Sequence, residues 1–180
     1  MVAAQPIELP PTPLFAGLEP DDWPELLKHS TRRELGTMEP VFKQGETADA
    51  FFVLLNGTAE VRAHSATGPE RPLAHLAPGA VLGETSLLLG GEHSASVYAT
   101  EPSTLLMFSK DDFLEMIKQR QPGAVRVLFN IAHTLSVRLR AADSHIAELS
   151  SQQTKQAGGN GAIVGREADR LRNIYLTEWV

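Results

Sequence analysis

Val81-Leu82-Gly83-Glu84-Thr85-Ser86-Leu87-Leu88-Leu89-Gly90-Gly91-Glu92-His93-Ser94-Ala95-Ser96-Val97 reads as a strand end, a turn of helix, a glycine pair and a polar patch before a second strand. A helix start leaves backbone N–H groups unpaired and presents the positive end of its dipole, which suits an anion. Gly83 lets the backbone approach a ligand closely, and Thr85 and Ser86 add hydroxyl donors. Glu84 is out of place beside an anion unless it accepts a hydrogen bond from the same ligand, for example from a sugar hydroxyl.

Working outward, the region from about Thr31 to Ser109 is punctuated by glycine and proline. Ala50–Leu55, Thr58–His64, Pro72–Leu76 and Thr104–Phe108 are short runs, bounded by Gln44-Gly45, Asn56-Gly57, Gly68-Pro69 and Pro78-Gly79. Six to eight strands at this spacing predict an antiparallel sandwich or barrel rather than alternating βα units. Alternation in Ala59-Glu60-Val61-Arg62 predicts one face in and one face out.

Helices flank that region. Asp21-Asp22-Trp23-Pro24 reads as a capped start with proline in the first turn, opening a short helix through Leu26, Leu27 and His29. Lys110–Ile117 reads as an amphipathic helix with Asp111 and Asp112 at its positive end, and Gln121-Pro122-Gly123 is expected to break it. A longer helix then runs from about Ala124 to Gln153. In it Leu128, Ala132, Leu135, Leu139, Ala142, Ile146 and Leu149 recur at spacings of four and three, the a/d seam of a two-helix coiled coil. Arg138, Arg140, Asp143 and Glu148 surround this narrow seam, favouring a helix pair over one helix lying on its own barrel. After Gly158-Gly159-Asn160-Gly161, the stretch Arg166–Val180 carries Ala168, Leu171, Ile174, Tyr175 and Trp179 at helical spacing, which reads as a tail helix.

Composition narrows the function classes. The chain has 180 residues, 42% of them hydrophobic, enough for one compact domain with appendages. A formal net charge of −6 argues against a surface devoted to DNA backbone contact. The absence of cysteine removes disulfides, thiolate metal sites and thiol nucleophiles. His29, His64, His75, His93, His133 and His145 form no His-x-His pair, so a metal centre of the cupin kind is not expected, nor any catalytic residue. With no cationic start and no apolar h-region at residues 1–13, and no long apolar run, the expected location is the cytoplasm.

The Gly83 segment resembles the phosphate-binding cassette of the cyclic-nucleotide-binding domains found in bacterial catabolite activators, kinase regulatory subunits and gated channels. Their pattern is Gly-Glu, two residues, Leu, five residues, then Arg-Ser/Thr-Ala, and Gly83, Glu84, Leu87, Ser94 and Ala95 fall in register. Pro13–Leu18 resembles the family's helical entry, and Gln44-Gly45-Glu46 with Asp49, then Asn56-Gly57, resemble its barrel turns. The resemblance implies a mainly β fold with α: an antiparallel β-barrel or jelly roll with an N-terminal helix and a long C-terminal dimerisation helix. The domain and its helix would span 13–155; the prolines before it read as an extended arm over 1–12, the glycine run as a flexible linker over 156–161, and the last stretch as the tail helix over 162–180. It implies no cofactor, only a ligand, cAMP or cGMP, touched by Leu82, Gly83, Glu84, Thr85, Ser86, His93, Ser94 and Ala95. Amides of residues 83–86 would hold the cyclic phosphate, Glu84 the ribose 2′-hydroxyl, Ser94 the phosphate or base, and the seam helix would cover the purine. The module would then signal, as a homodimer and without enzymatic activity, to a partner protein.

One position departs from the pattern: the family's phosphate-clamping arginine falls at His93. Arginine gives phosphate two parallel charge-assisted bonds, whereas neutral histidine gives one donor. Loss of a charged hydrogen bond costs about 1.5–3 kcal/mol, roughly ten- to hundred-fold in affinity. The alternatives are weaker binding with His93 as the cation, a different ligand, or a pocket that no longer binds and serves as a dimeric protein–protein scaffold. A catabolite-activator role would need a helix-turn-helix after the seam. The 25 residues after Lys155 hold one helical pattern, so DNA binding by this chain alone is not expected.

Overall fold

The computed structural model describes residues 9–64 and 69–156; within them the side chains of Ser86, Leu87, Leu89, His145, Ile146 and residues 149–156 lie outside the description. The start of the proline-rich arm, nearly all of the linker and the tail helix expected over 162–180 lie outside the described residues. Contact density divides the chain into two units, Met1–Thr134 and Leu135–Val180.

The first unit is built on eight strands: β1 Ser30–Leu35, β2 Pro40–Phe42, β3 Ala50–Asn56, β4 Ala59–His64, β5 Glu70–Leu76, β6 Val81–Leu82, β7 Ser96–Ala99 and β8 Ser103–Ser109. They form two antiparallel sheets, ordered β1-β8-β3-β6 and β2-β7-β4-β5. This is the antiparallel sandwich that the glycine and proline punctuation predicts, jelly-roll-like as the resemblance implies. Helices are α1 Trp23–Lys28, α2 Glu84–Leu89, α3 Lys110–Lys118 and α4 Pro122–Gln156, with short 3-10 turns at Pro13–Phe15 and Pro20–Asp22.

β3 explains why there are three layers. Its run Ala50-Phe51-Phe52-Val53-Leu54 is buried on both faces. Phe52 and Leu54 point between the sheets, joining Leu35, Val41, Leu82, Val97 and Leu105 in the core. Phe51 points the other way, stacking on Phe108 at 4.9 Å and meeting Phe113 of α3 edge-on at 5.1 Å. Phe15 continues this aromatic layer to Phe108 and Trp23. Helices therefore cover the outer face of the first sheet, as a strand without a polar side requires. Asn130 of α4 ties the N-terminal turn down, donating to the carbonyls of Leu14 and Ala16 at 2.8 and 3.0 Å.

Two expectations need correction, and one strand had no signal of its own. The break between the two helices is present, over 119–121, but Pro122 and Gly123 do not belong to it: α3 stops at Lys118, and both residues open α4. Proline is favoured in a first turn because its missing N–H would be unpaired there anyway. Gly123 is needed for packing, since a Cβ there would lie 2.9 Å from Cβ of Asp22. β1, whose Ser-Thr-Arg-Arg-Glu-Leu sequence lacks an apolar alternation, is a strand because β8 pairs with it along its whole length. Glu60 is buried rather than turned out to water. It pairs with Arg62, whose guanidinium lies 5.5 Å from the Tyr98 ring centre, and with His75 at 3.6 Å. Tyr98 and His75 stand opposite Glu60 on neighbouring strands, so a closed polar cluster covers that face.

In the second unit the described part is the length of α4 from Leu135 onward. Among the described residues no helix is long and apolar enough to cross a membrane.

The β3–β4 turn gives a test of the framework. Gly57 has φ +84°, and a Cβ there would lie 2.7 Å from the Pro102 carbonyl oxygen. Gly57→Ala combines left-handed strain with overpacking, so the protein should lose about 2 kcal/mol or more and melt roughly 5 °C lower by calorimetry.

Candidate functional site

The turn from β6 to α2 is held from behind. Gly83 has φ +76°, and a Cβ on it would lie 3.0 Å from the Ala50 carbonyl oxygen and 3.4 Å from Cε1 of His93. Only glycine meets both demands, a left-handed backbone and contact with β3. Glu84 follows as the first residue of α2 and is only 4% exposed. Thr85 and Ser94 are exposed, Ala95 is half-buried, and Leu82 gives its side chain to the core.

Gly90 and Gly91, at φ +72° and +87°, then turn the chain back. The returning segment is clasped to the β2–β3 loop by three backbone hydrogen bonds. His93 N–H donates to the Glu46 carbonyl at 2.9 Å, Gly45 N–H to the His93 carbonyl at 2.9 Å, and Ala48 N–H to the Gly91 carbonyl at 3.0 Å. These bonds point the His93 side chain inward: the residue is 5% exposed, and its ring lies flat on Phe42 with centroids 3.7 Å apart. Burial pushes the imidazole below its ordinary pKa, while the carboxylates of Glu46 and Asp49 pull it back up. Phe42, which sequence reading passed over, is thus part of the site; the apolar pair Val41-Phe42 just before Gln44-Gly45 was its one signal.

Register extends the site across the second sheet. Phe42 pairs with Val97, Val97 with Val61, and Val61 with Ala74. Partners across a ladder share a face, so these four form a row on the inner side of the sheet. Val97 is buried, Phe42 and Val61 are half-buried, and Ala74 is exposed, next to Leu73 at 65% exposure. Exposure therefore rises from Val97 along the row toward β5, whose end of it is an apolar shelf at the surface.

The profile of the cyclic nucleotide-binding domain matches residues 32–120. The chain belongs to the cyclic nucleotide-binding domain family. Over 144 residues it is 37% identical to the cyclic AMP receptor protein of Thermus thermophilus, covering 80% of this chain and 65% of that protein. The crystal structure of the catabolite activator protein of Thermus thermophilus matches with TM-score 0.69 and 37% identity, over 77% of this chain and 63% of that one. The N-terminal domain of a transcriptional regulator from Streptomyces coelicolor matches with TM-score 0.62 and 27% identity, over 73% of this chain and 92% of that one. The chain thus spans a little under two thirds of the Thermus relatives.

Within the family pattern, Gly83 and His93 come together across the turn. The seam positions are mixed. Leu128 and Leu135 are half-buried, Ala132, Leu139 and Ala142 are exposed, and the side chains of Ile146 and Leu149 lie outside the described residues. Phe129, not among the seam positions, is 68% exposed, and Val125 and Val137 are also exposed.

His93 makes the stability of the free protein depend on pH. Its folded pKa lies below the unfolded value near 6.5, so the unfolded chain binds more protons in that window. The His93 contribution is present above about pH 6.5 and is lost as pH falls through the folded pKa. Wild-type melting temperature should therefore fall more between pH 7 and 5 than that of His93→Gln, measured by calorimetry in matched buffers; parallel profiles would refute the assignment.

Proposed function

We propose that the chain is a non-enzymatic regulatory module that binds cAMP or cGMP in the segment Leu82–Ala95. As a homodimer in the cytoplasm, it would relay occupancy of that site to a partner protein. The observation that carries the reading is the Gly83 turn, a left-handed backbone backed by β3 and His93, beside the open apolar shelf of β4 and β5. The name of the Thermus relative favours cAMP as the first ligand to test. On this reading the amides of residues 83–86 hold the cyclic phosphate, Glu84 accepts the ribose 2′-hydroxyl, and Ser94 reaches phosphate or base. The net charge of −6 supports no DNA contact by this chain alone.

A second reading has one observation in its favour. His93 is buried on Phe42 where the family carries arginine, so the site lacks a free guanidinium at that position. A dimeric scaffold that no longer binds nucleotide would tolerate this. Thermal shift with cAMP, cGMP and cyclic di-GMP separates the two. The sensor gains melting temperature with one of them, since a ligand that binds only the folded state stabilises it, and the scaffold gains none.

Glu84→Gln keeps the volume of a buried side chain while removing its charge. It should weaken cAMP or cGMP binding roughly ten-fold or more by calorimetry, the size of one charged hydrogen bond, with the unliganded fold retained by circular dichroism. Equal affinity would move the ligand away from this turn.

The homodimer is proposed through the seam of residues 128–149. Leu139 of that seam, 63% exposed, is apolar surface that a second helix would remove from water. Leu139→Asp would place an unpaired charge in each helix, and light scattering at tens of micromolar should change from dimer to monomer. A monomeric wild type would end this part of the proposal.

A further inference from the structure

We propose that ligand binding at this site takes up a proton from solvent onto His93, so that the module reads pH together with its nucleotide. The inference rests on the cassette being the ligand site. It adds what the arginine-to-histidine departure does there.

In the ligand-free protein His93 sits in a place that suits a neutral ring. One face is covered by Phe42 at 3.7 Å, Cε1 lies against Gly83, and Phe42 is itself backed by Phe52 at 5.8 Å. An imidazolium in that position would lose much of its hydration. The charged groups around it are few and mostly acidic. Glu46 and Asp49 face it from the β2–β3 loop. Glu92 precedes it in the chain, with its carboxylate at the Gly45 turn, and Glu84 opens α2 beside Gly83. Lys110 belongs to α3, and its amino group lies at the far end of the cassette, near Gly90. Arg62 is engaged with Glu60 and Tyr98 on the opposite face of the sheet. Of the basic side chains named here, only His93 stands against Gly83, where the proposed reading would place the cyclic phosphate.

A cyclic phosphodiester is a monoanion throughout the neutral pH range, so it brings a full negative charge into that contact. The charge favours imidazolium over imidazole and raises the pKa of His93 in the complex. Burial holds the pKa of the free protein below its ordinary value, so the two states differ in the same direction for two separate reasons. The sign follows from linkage. The complex binds more protons than the free protein between the two pKa values, so affinity rises as pH falls through the pKa of the complex and levels off below that of the free protein. One proton sets the ceiling, about ten-fold in affinity per pH unit. An arginine at this position would show none of this, because it stays charged across the range.

Calorimetry of the full chain with cAMP and with cGMP, at pH 6, 7 and 8 and in two buffers of different ionisation enthalpy, reads proton uptake directly. The expected result is fractional uptake, above zero and below one proton per site, with affinity several-fold to about ten-fold higher at pH 6 than at pH 8. His93→Arg should bind at least ten-fold more tightly at pH 8, with no uptake and a flat profile. His93→Gln should have no uptake and no gain at pH 6. Because uptake is measured on the wild type, the test stands even if a variant folds poorly. Wild-type binding without uptake, or with uptake that persists in His93→Gln, would overturn the proton coupling and leave the ligand site standing. Binding by His93→Arg with none by wild type at any of the three pH values would also overturn it. No binding by either would overturn the ligand site itself, and the coupling with it.

Discussion

The stacking of His93 on Phe42 depends on a strand that has no side for water. β3 carries Phe51 and Val53 on one face and Phe52 and Leu54 on the other, all buried. Burying each phenyl or isobutyl group is worth about 1.5–3 kcal/mol, so the strand can be stable only between two apolar layers. One layer is the second sheet; the other is the helical cover whose contacts begin at Phe108 and Phe113. Phe52 sets the position of Phe42, Phe42 supports the His93 ring, and the Ala50 carbonyl backs Gly83. The candidate turn is built outward from the core.

That dependence explains why a six-residue helix and two glycine turns hold a defined shape. Apart from Leu87, Leu88, Leu89 and Ala95, the segment 83–95 is glycine and polar residues. It is fixed at both ends by hydrogen bonds and contacts to strands already committed: Gly83 to β3, and Gly91 and His93 to the loop between β2 and β3. A loop tied in this way can expose polar groups to a ligand without losing its backbone geometry. The same ties bring Glu46 and Asp49 close enough to oppose the effect of burial on the imidazole. The proton affinity of the site is thus a property of two segments far apart in sequence.

The polar cluster of Glu60, Arg62, His75 and Tyr98 solves a separate problem on the outer face of the second sheet. A carboxylate buried alone would be costly, and its pairing with a guanidinium and an imidazole permits it to stay. β5, the edge strand of this sheet, contains Pro72, which cannot donate to a further strand. The face is satisfied without a partner chain, while the inner face of β5 remains open toward the shelf.

Much of the fold was legible in the residues. Glycine and proline pairs marked the turns because positive φ and fixed φ are local demands, and the apolar runs of β3, β4, β5 and β8 stood between them. The order Gly83, Glu84, Leu87, Ser94, Ala95 was legible only as a resemblance to the cassette of a known family, since no local rule of backbone or turn demands it. Sequence could not reveal β1, whose polar residues become a strand only by pairing with β8 across some seventy positions of chain. Nor could it foresee Pro122 as a helix start, the burial of Glu60, or the row Phe42, Val97, Val61 and Ala74, which exist through register between distant strands. His93 marks the division most sharply. The sequence determined that a histidine stands where the family keeps arginine. The tertiary structure decided that its ring lies flat on Phe42 and against Gly83, because three backbone hydrogen bonds to another loop turn the side chain inward before any ligand arrives.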